Sequence, residues 1–165
     1  MAPHPFTQES VIVTPVWNGE DIIVCSSAGQ NPIGRAIRLT RQDDKTVPKG
    51  LWLSQKIRFG QPTPVRFGEY LIGATRNLVM AVEFSTGKRV WGHRGFPHAT
   101  CVLGRGKFIM LDSSGQLGLA TVTPTGLTVH SQCQVTERYS FTAPTLVGKT
   151  LYLRDRKHIM ALDVG

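Results

Sequence analysis

Four times along this chain a proline or threonine is followed, four residues on, by a glycine, and that recurrence limits the available folds more than any other feature. The pairs are Pro15 and Gly19, Pro64 and Gly68, Thr100 and Gly104, and Pro144 and Gly148. An apolar run of strand length follows each glycine, at residues 21–25, 70–73, 108–111 and 151–153. The next run in each unit is built round a small residue: Ala36, Ala81, Gly118 with Ala120, and Ala161. The units start 49, 36 and 44 residues apart, in and around the ~40 to 45 residues of a four-stranded sheet repeated round an axis. Small residues at a fixed place let such sheets pack closely. No 3.6-residue apolar period persists anywhere, and the 17 glycines and 10 prolines are spread as turn punctuation, so the chain is expected to be all-β.

The fullest copy of the unit is residues 81–91. A strand runs up to Phe84, Ser85 to Lys88 make a turn in which Gly87 is free to take positive φ, and Arg89 to Trp91 begin the returning strand. The order of residues resembles the signature of the pyrroloquinoline-quinone-like (PQQ-like) β-propeller repeat, of the quinoprotein alcohol dehydrogenase-like superfamily. Ala81, Glu83, Thr86, Gly87 and Trp91 fill its fixed places, with Glu83 where the family more often has aspartate. Trp52 stands in the outer strand of the first unit, after a turn of the same type. The third unit has lost its tryptophan and turns through the divergent Thr123-Pro124-Thr125-Gly126.

The resemblance implies a β-propeller of about four blades, each a four-stranded antiparallel sheet, with the last blade incomplete. The expected blades are 14–60, 63–96, 99–135 and an incomplete 142–165, after an N-terminal lead or remnant of a preceding blade at 1–13. In the family a strand from the protein's start closes the last blade. Residues 1–10, with two prolines in the first five, offer little strand for that, although 6–13 can supply a short one. The chain is therefore expected to be the C-terminal part of a longer propeller, and in isolation to self-associate through its open ends.

A formal net charge of +8 brings nucleic acid or an anionic membrane into consideration. The cations stand singly or in pairs, many at alternating strand positions, which is the pattern of a solvated face, so nucleic acid is not the expected partner. No run of about 18 apolar residues crosses a membrane, and residues 1–12 lack the form of an export signal. Cys25, Cys101 and Cys133 have no metal-ligand spacing. One disulfide with a thiol left over fits their number, while their places in apolar runs favour free buried thiols.

Enzymes of the broad family hold the quinone and a calcium ion, and carry a vicinal Cys-Cys pair that this chain lacks. Asp43 and Asp44 lie in a polar stretch, 42–49, expected to be a loop, and residues 112–116 are expected to turn. Among the five histidines, His93 and His98 flank the join between the second and third units. With Arg94 they form the candidate ligand loop, since connections carry function more often than strands. The expected function is a non-catalytic binding or scaffold module for protein partners or the remaining blades, without cofactor. By resemblance it is bacterial, and periplasmic or exported to the cell envelope. The alternative is part of a PQQ-dependent oxidoreductase using PQQ and calcium.

Overall fold

Short runs of β-branched, aliphatic and aromatic residues, broken by glycine, aspartate and proline, pair most readily with their neighbours along the chain. The computed structural model describes residues 13–26, 33–104, 106–137 and 139–165. The closing strand expected at 6–13 lies outside them except for Val13. Among the described residues there are fifteen strands and no helix. The first sheet is β1 (Val16–Trp17), β2 (Ile22–Ser26), β3 (Gly34–Gln42) and β4 (Lys45–Ser54). The second is β5 (Val65–Phe67), β6 (Tyr70–Ala74), β7 (Leu78–Glu83) and β8 (Arg89–Arg94). The third is β9 (Thr100–Gly104), β10 (Lys107–Leu111), β11 (Gln116–Thr123) and β12 (Gly126–Gln134), and the fourth has three strands, β13 (Thr145–Val147), β14 (Thr150–Arg154) and β15 (Ile159–Asp163). Each sheet is an antiparallel meander in chain order.

Alternation along a strand sends one set of side chains to the sheet before and the other to the sheet after. In the second sheet Leu71, Met80 and Val82 meet Ile22, Val24 and Ala36 of the first. The opposite set, Ile72, Ala74 and Ala81, meets Phe108, Met110 and Ala120 of the third. Ile109 and Leu111 then meet Leu151 and Leu153 of the fourth. The leading strands stand side by side, β1 on β5, β5 on β9 and β9 on β13. No apolar cluster among the described residues joins the fourth sheet to the first. The molecule is an all-β partial propeller, an open arc of four blades.

An indole ties each of the first two blades to the next. Ala36 pairs with Trp52, and Ala81 with Trp91, each just before a β-bulge in the outer strand. Trp52 Nε1 donates to the Phe84 carbonyl oxygen at 2.8 Å, and Trp91 Nε1 donates to that of Thr123 at 3.3 Å. The Trp52 ring also lies across Gly87, where a Cβ would come within 2.6 Å of it. Gly87, at φ 68°, is therefore needed twice, for the turn and for the ring above it. In the third blade the pair before the bulge is Leu119 with Ser131, large and small exchanged. A cavity of about 530 Å³ opens there between the third and fourth sheets, lined by Ile109, Leu119, Leu146 and Leu151 and edged by Cys133.

Three local expectations are corrected. Residues 42–49 are not a loop: β3 and β4 run on as a long hairpin whose tip is only Asp43-Asp44, both at positive φ (46° and 60°). Aspartate tolerates that conformation and so makes a two-residue hairpin turn without glycine. In the third unit Gly104 ends a strand, and Gly106, at φ 72°, takes the left-handed place that Gly19, Gly68 and Gly148 hold in the others. Cys101 is a free buried thiol, but Cys133 is free and exposed. It sits between Gln132 and Gln134 at the exposed end of the outer strand β12.

In a four-stranded meander the connection between the second and third strands and the exit to the next sheet fall at the same end, so each blade contributes two loops to one rim. Asp112 Oδ1 accepts hydrogen bonds from the Ser114 and Gln116 N–H groups at 2.8 and 3.0 Å. Asp155 Oδ1 accepts from Lys157 N–H and His158 N–H, both at 2.7 Å. Those two amides hold the Asp155 carboxyl below the usual carboxylate range. The inter-blade linkers are pinned to these loops: His98 N–H donates to the Thr75 carbonyl at 2.9 Å, Ser113 N–H to that of Pro97 at 3.0 Å, and Ser140 Oγ to that of Arg154 at 2.7 Å.

Replacing Trp52 with alanine is expected to cost about 2 to 4 kcal/mol in urea unfolding, somewhat under the value for a fully buried ring, whereas Trp52→Phe, which keeps a ring and loses the N–H, should cost only about 1 kcal/mol. Gly87→Val should lose at least as much as Trp52→Ala, and unchanged urea midpoints would show that the indole contact contributes nothing. For Asp155, a folded value below the unfolded one means that the stabilisation is complete above the ordinary carboxylate range, near pH 4. It is lost as the pH falls through the lowered folded value. The gap in thermal midpoint between the parent and Asp155→Ala should therefore be widest near neutrality and close in acid, and a gap independent of pH would remove the carboxylate from the account.

Candidate functional site

The rim carries its own sign of charge. The carboxylates of Asp112 and Asp155 are turned into their own loops, while the next basic residues, Arg76 and Arg156, stay exposed. Between the linker at 55–64, the loop at 75–77 and the linker residues Tyr139 and Phe141 lies a cleft of about 930 Å³. Lys56, Arg58, Arg76 and Arg89 stand along it, and its described lining holds no aspartate or glutamate. Leu78, Met80 and Pro97 give it an apolar floor. Tyr139 and Phe141 form the far wall, their rings parallel with centroids 6.0 Å apart, and the Arg156 guanidinium lies 5.9 Å from the Tyr139 centroid.

The cleft continues at both ends. Lys56, Arg58 and Arg89 also wall a recess that reaches Lys88 at the outer edge between the first two blades. Ser113 and Tyr139 are shared with a second recess, lined further by Arg156 and Glu137. The whole is a groove across the loops of several blades, with six cations along it and one carboxylate, Glu137, at its far end among the described residues. These cations lie far apart in the sequence and look there like isolated solvated charges. The meander gathers them.

Of the residues singled out as a ligand loop, His98 lines the cleft, and His93 and Arg94, on β8, do not. The backbone of this linker is unusual: Gly95, Phe96 and His98 all have positive φ, at 108°, 50° and 51°. Phe96 is held there by its ring, which fills the space a side chain at Gly118 would take. The His98 imidazole is partly buried, with Nδ1 enclosed and unpartnered. The motif residues Ala81, Glu83, Thr86, Gly87, Trp91 and Trp52 belong to the hairpins and indole contacts between blades. There the Thr86 hydroxyl donates to Glu83 Oε2 at 2.5 Å. Burial pushes the Cys101 thiol up to about 12, which keeps it protonated. Among the described residues no group of three or more His, Cys, Asp or Glu could hold a metal ion.

The chain matches no known protein-family model and no curated protein sequence. Its fold is similar to those of several solved structures. BamB from Moraxella catarrhalis aligns with a TM-score of 0.66 at 16% identity, over 87% of this chain and 43% of that one. The computationally designed Ika8 protein aligns at 0.62 with 11% identity, over 94% of this chain and 46% of that one. The complex of the fission yeast SREBP-SCAP binding domains contains a chain that aligns at 0.52 with 12% identity, over 99% of this chain and 51% of that one. The chain thus spans about half the length of these structures or less, and the likeness is one of fold, the β-propeller.

Proposed function

We propose that this chain is a stretch of PQQ-like β-propeller acting as a non-catalytic protein-binding scaffold, whose two end faces are made to be covered. The observation that carries the reading is a mismatch between residue type and exposure in the first sheet. In the second and third sheets the face toward the preceding blade is fully buried at Leu71 and Val82, and at Phe108 and Ala120. Ile23 and Ile37 hold the corresponding places in the first sheet but are only partly covered, beside Trp17 at 56% and Leu53 at 54% exposed. At the other end Val147, Tyr152 and Ile159 are exposed, and the outer edge of β15 has no partner strand among the described residues. Contiguous apolar surface of this kind marks a face that meets another protein surface.

The remaining blades of a larger ring are the natural cover, whether they come from a longer chain or from a second copy joined head to tail. Assignment to the PQQ-like class rests on the motif at 81–91. A place in the bacterial cell envelope, periplasmic or exported, is proposed on the same resemblance. For the alternative, an oxidoreductase holding PQQ and calcium, the donor set of the cleft does not fit: a calcium ion needs several oxygen ligands, preferably carboxylates, and the described cleft presents cations instead.

Light scattering on the 165-residue chain tests the end faces. The expected result is association beyond the 18.2 kDa single chain, with binding of an apolar dye, both reduced by charges placed on the two faces in Trp17→Glu and Tyr152→Glu. A monodisperse, cooperatively melting monomer that binds no dye would overturn the reading.

A further inference from the structure

We infer that the groove along the loop rim binds an acidic peptide segment in extended form, with carboxylates against Arg58, Arg76 and Arg89 and an apolar side chain against Tyr139 and Phe141. This deepens the protein-binding reading by naming the chemistry of the partner, and uses a surface separate from the end faces. Three observations carry it. The first is charge: six cations line the three joined recesses against one carboxylate, Glu137, among the described residues, while Asp112 and Asp155 stay out of the lining and accept from backbone amides of their own loops. Like charges held side by side repel one another, so an anionic ligand that settles among them gains from each.

The second is form. The recesses share walls end to end, which suits a chain-like ligand making several contacts better than a single small anion. The linkers that build the walls are pinned to the blades by hydrogen bonds from Ser26 Oγ to the Phe59 carbonyl, from His98 N–H to that of Thr75 and from Ser140 Oγ to that of Arg154, so little ordering of the groove is needed on binding. The third is the division of the lining into a cationic stretch and an apolar one. Tyr139 is 59% and Phe141 47% exposed, yet the Tyr139 ring already has Phe141 and Arg156 against it. A single-stranded nucleic acid needs free aromatic faces spaced along its phosphates. Here the rings are confined to one end and one of them is engaged, an arrangement that fits an apolar side chain following a run of carboxylates.

Fluorescence anisotropy decides the matter with a labelled peptide of alternating glutamate and glycine carrying two phenylalanines at one end. Saturable binding that weakens with added salt is expected, with at least about a tenfold loss for the charge reversal Arg58→Glu/Arg76→Glu. Tyr139→Ala/Phe141→Ala should abolish the preference for the phenylalanine-bearing peptide over its alanine counterpart. These side chains are exposed, so the variants are expected to fold, with thermal midpoints close to the parent's. Equal binding of a glutamine-for-glutamate peptide, no binding of the acidic peptide, an unchanged affinity in the charge-reversal variant, or tighter binding of single-stranded oligothymidine would each overturn the inference. Light scattering on the same samples separates the two readings: peptide binding by a chain that remains monomeric would leave the groove standing and remove the end-face proposal, and association without peptide binding would do the reverse.

Discussion

An indole laid across the hairpin of the next sheet is the contact on which this architecture depends. A single antiparallel sheet of four short strands cannot bury both of its faces, and the apolar clusters between successive sheets supply most of the missing burial. Burial alone does not fix the angle or register of one sheet on another, because apolar contact has no direction. The bond from Trp52 to the Phe84 carbonyl, with the ring on Gly87, supplies that direction at the outer edge. The pinned linkers supply it at the rim. Between these two lines of attachment the loops of several blades are held in fixed relation, and a groove can exist.

Much of the architecture is legible in residue types. Strand order follows from apolar runs separated by turn residues, since neighbours in sequence pair most cheaply, and the place of Gly87 follows from a backbone requirement that few residues meet. The hairpin tip at Asp43-Asp44 was harder to see, because two aspartates in a charged stretch have the composition of a loop and only the pairing of Gln42 with Lys45 makes them a turn. The third unit misled for a similar reason: its glycine moved two places along, from the position that the repeat suggests to Gly106.

The groove was far less legible. His98 stands out in the sequence because it lies between units, whereas Lys56, Arg58, Arg76 and Arg89 carry no signal that they share a surface. Their meeting depends on the distance each meander travels before returning to the rim, a property of whole sheets. The sequence also hides which carboxylates are available. Asp112 and Asp155 keep their negative charge, but each directs Oδ1 at its own backbone amides, and neither belongs to the lining of the groove.

The exchange of Leu119 and Ser131 for an alanine and a tryptophan has a consequence for how the molecule comes apart. In a row of repeats, each held chiefly by its neighbours, the order of melting is set by the weakest junction. The junction between the third and fourth sheets lacks the indole and borders open space, so the fourth sheet is expected to be the first to detach. Opening there frees Tyr139 and Phe141, which belong to the linker leading into that sheet, while the cations of the first two blades stay in place. A ligand held by both the cations and the two rings therefore acts as a clasp across the loosest joint of the arc.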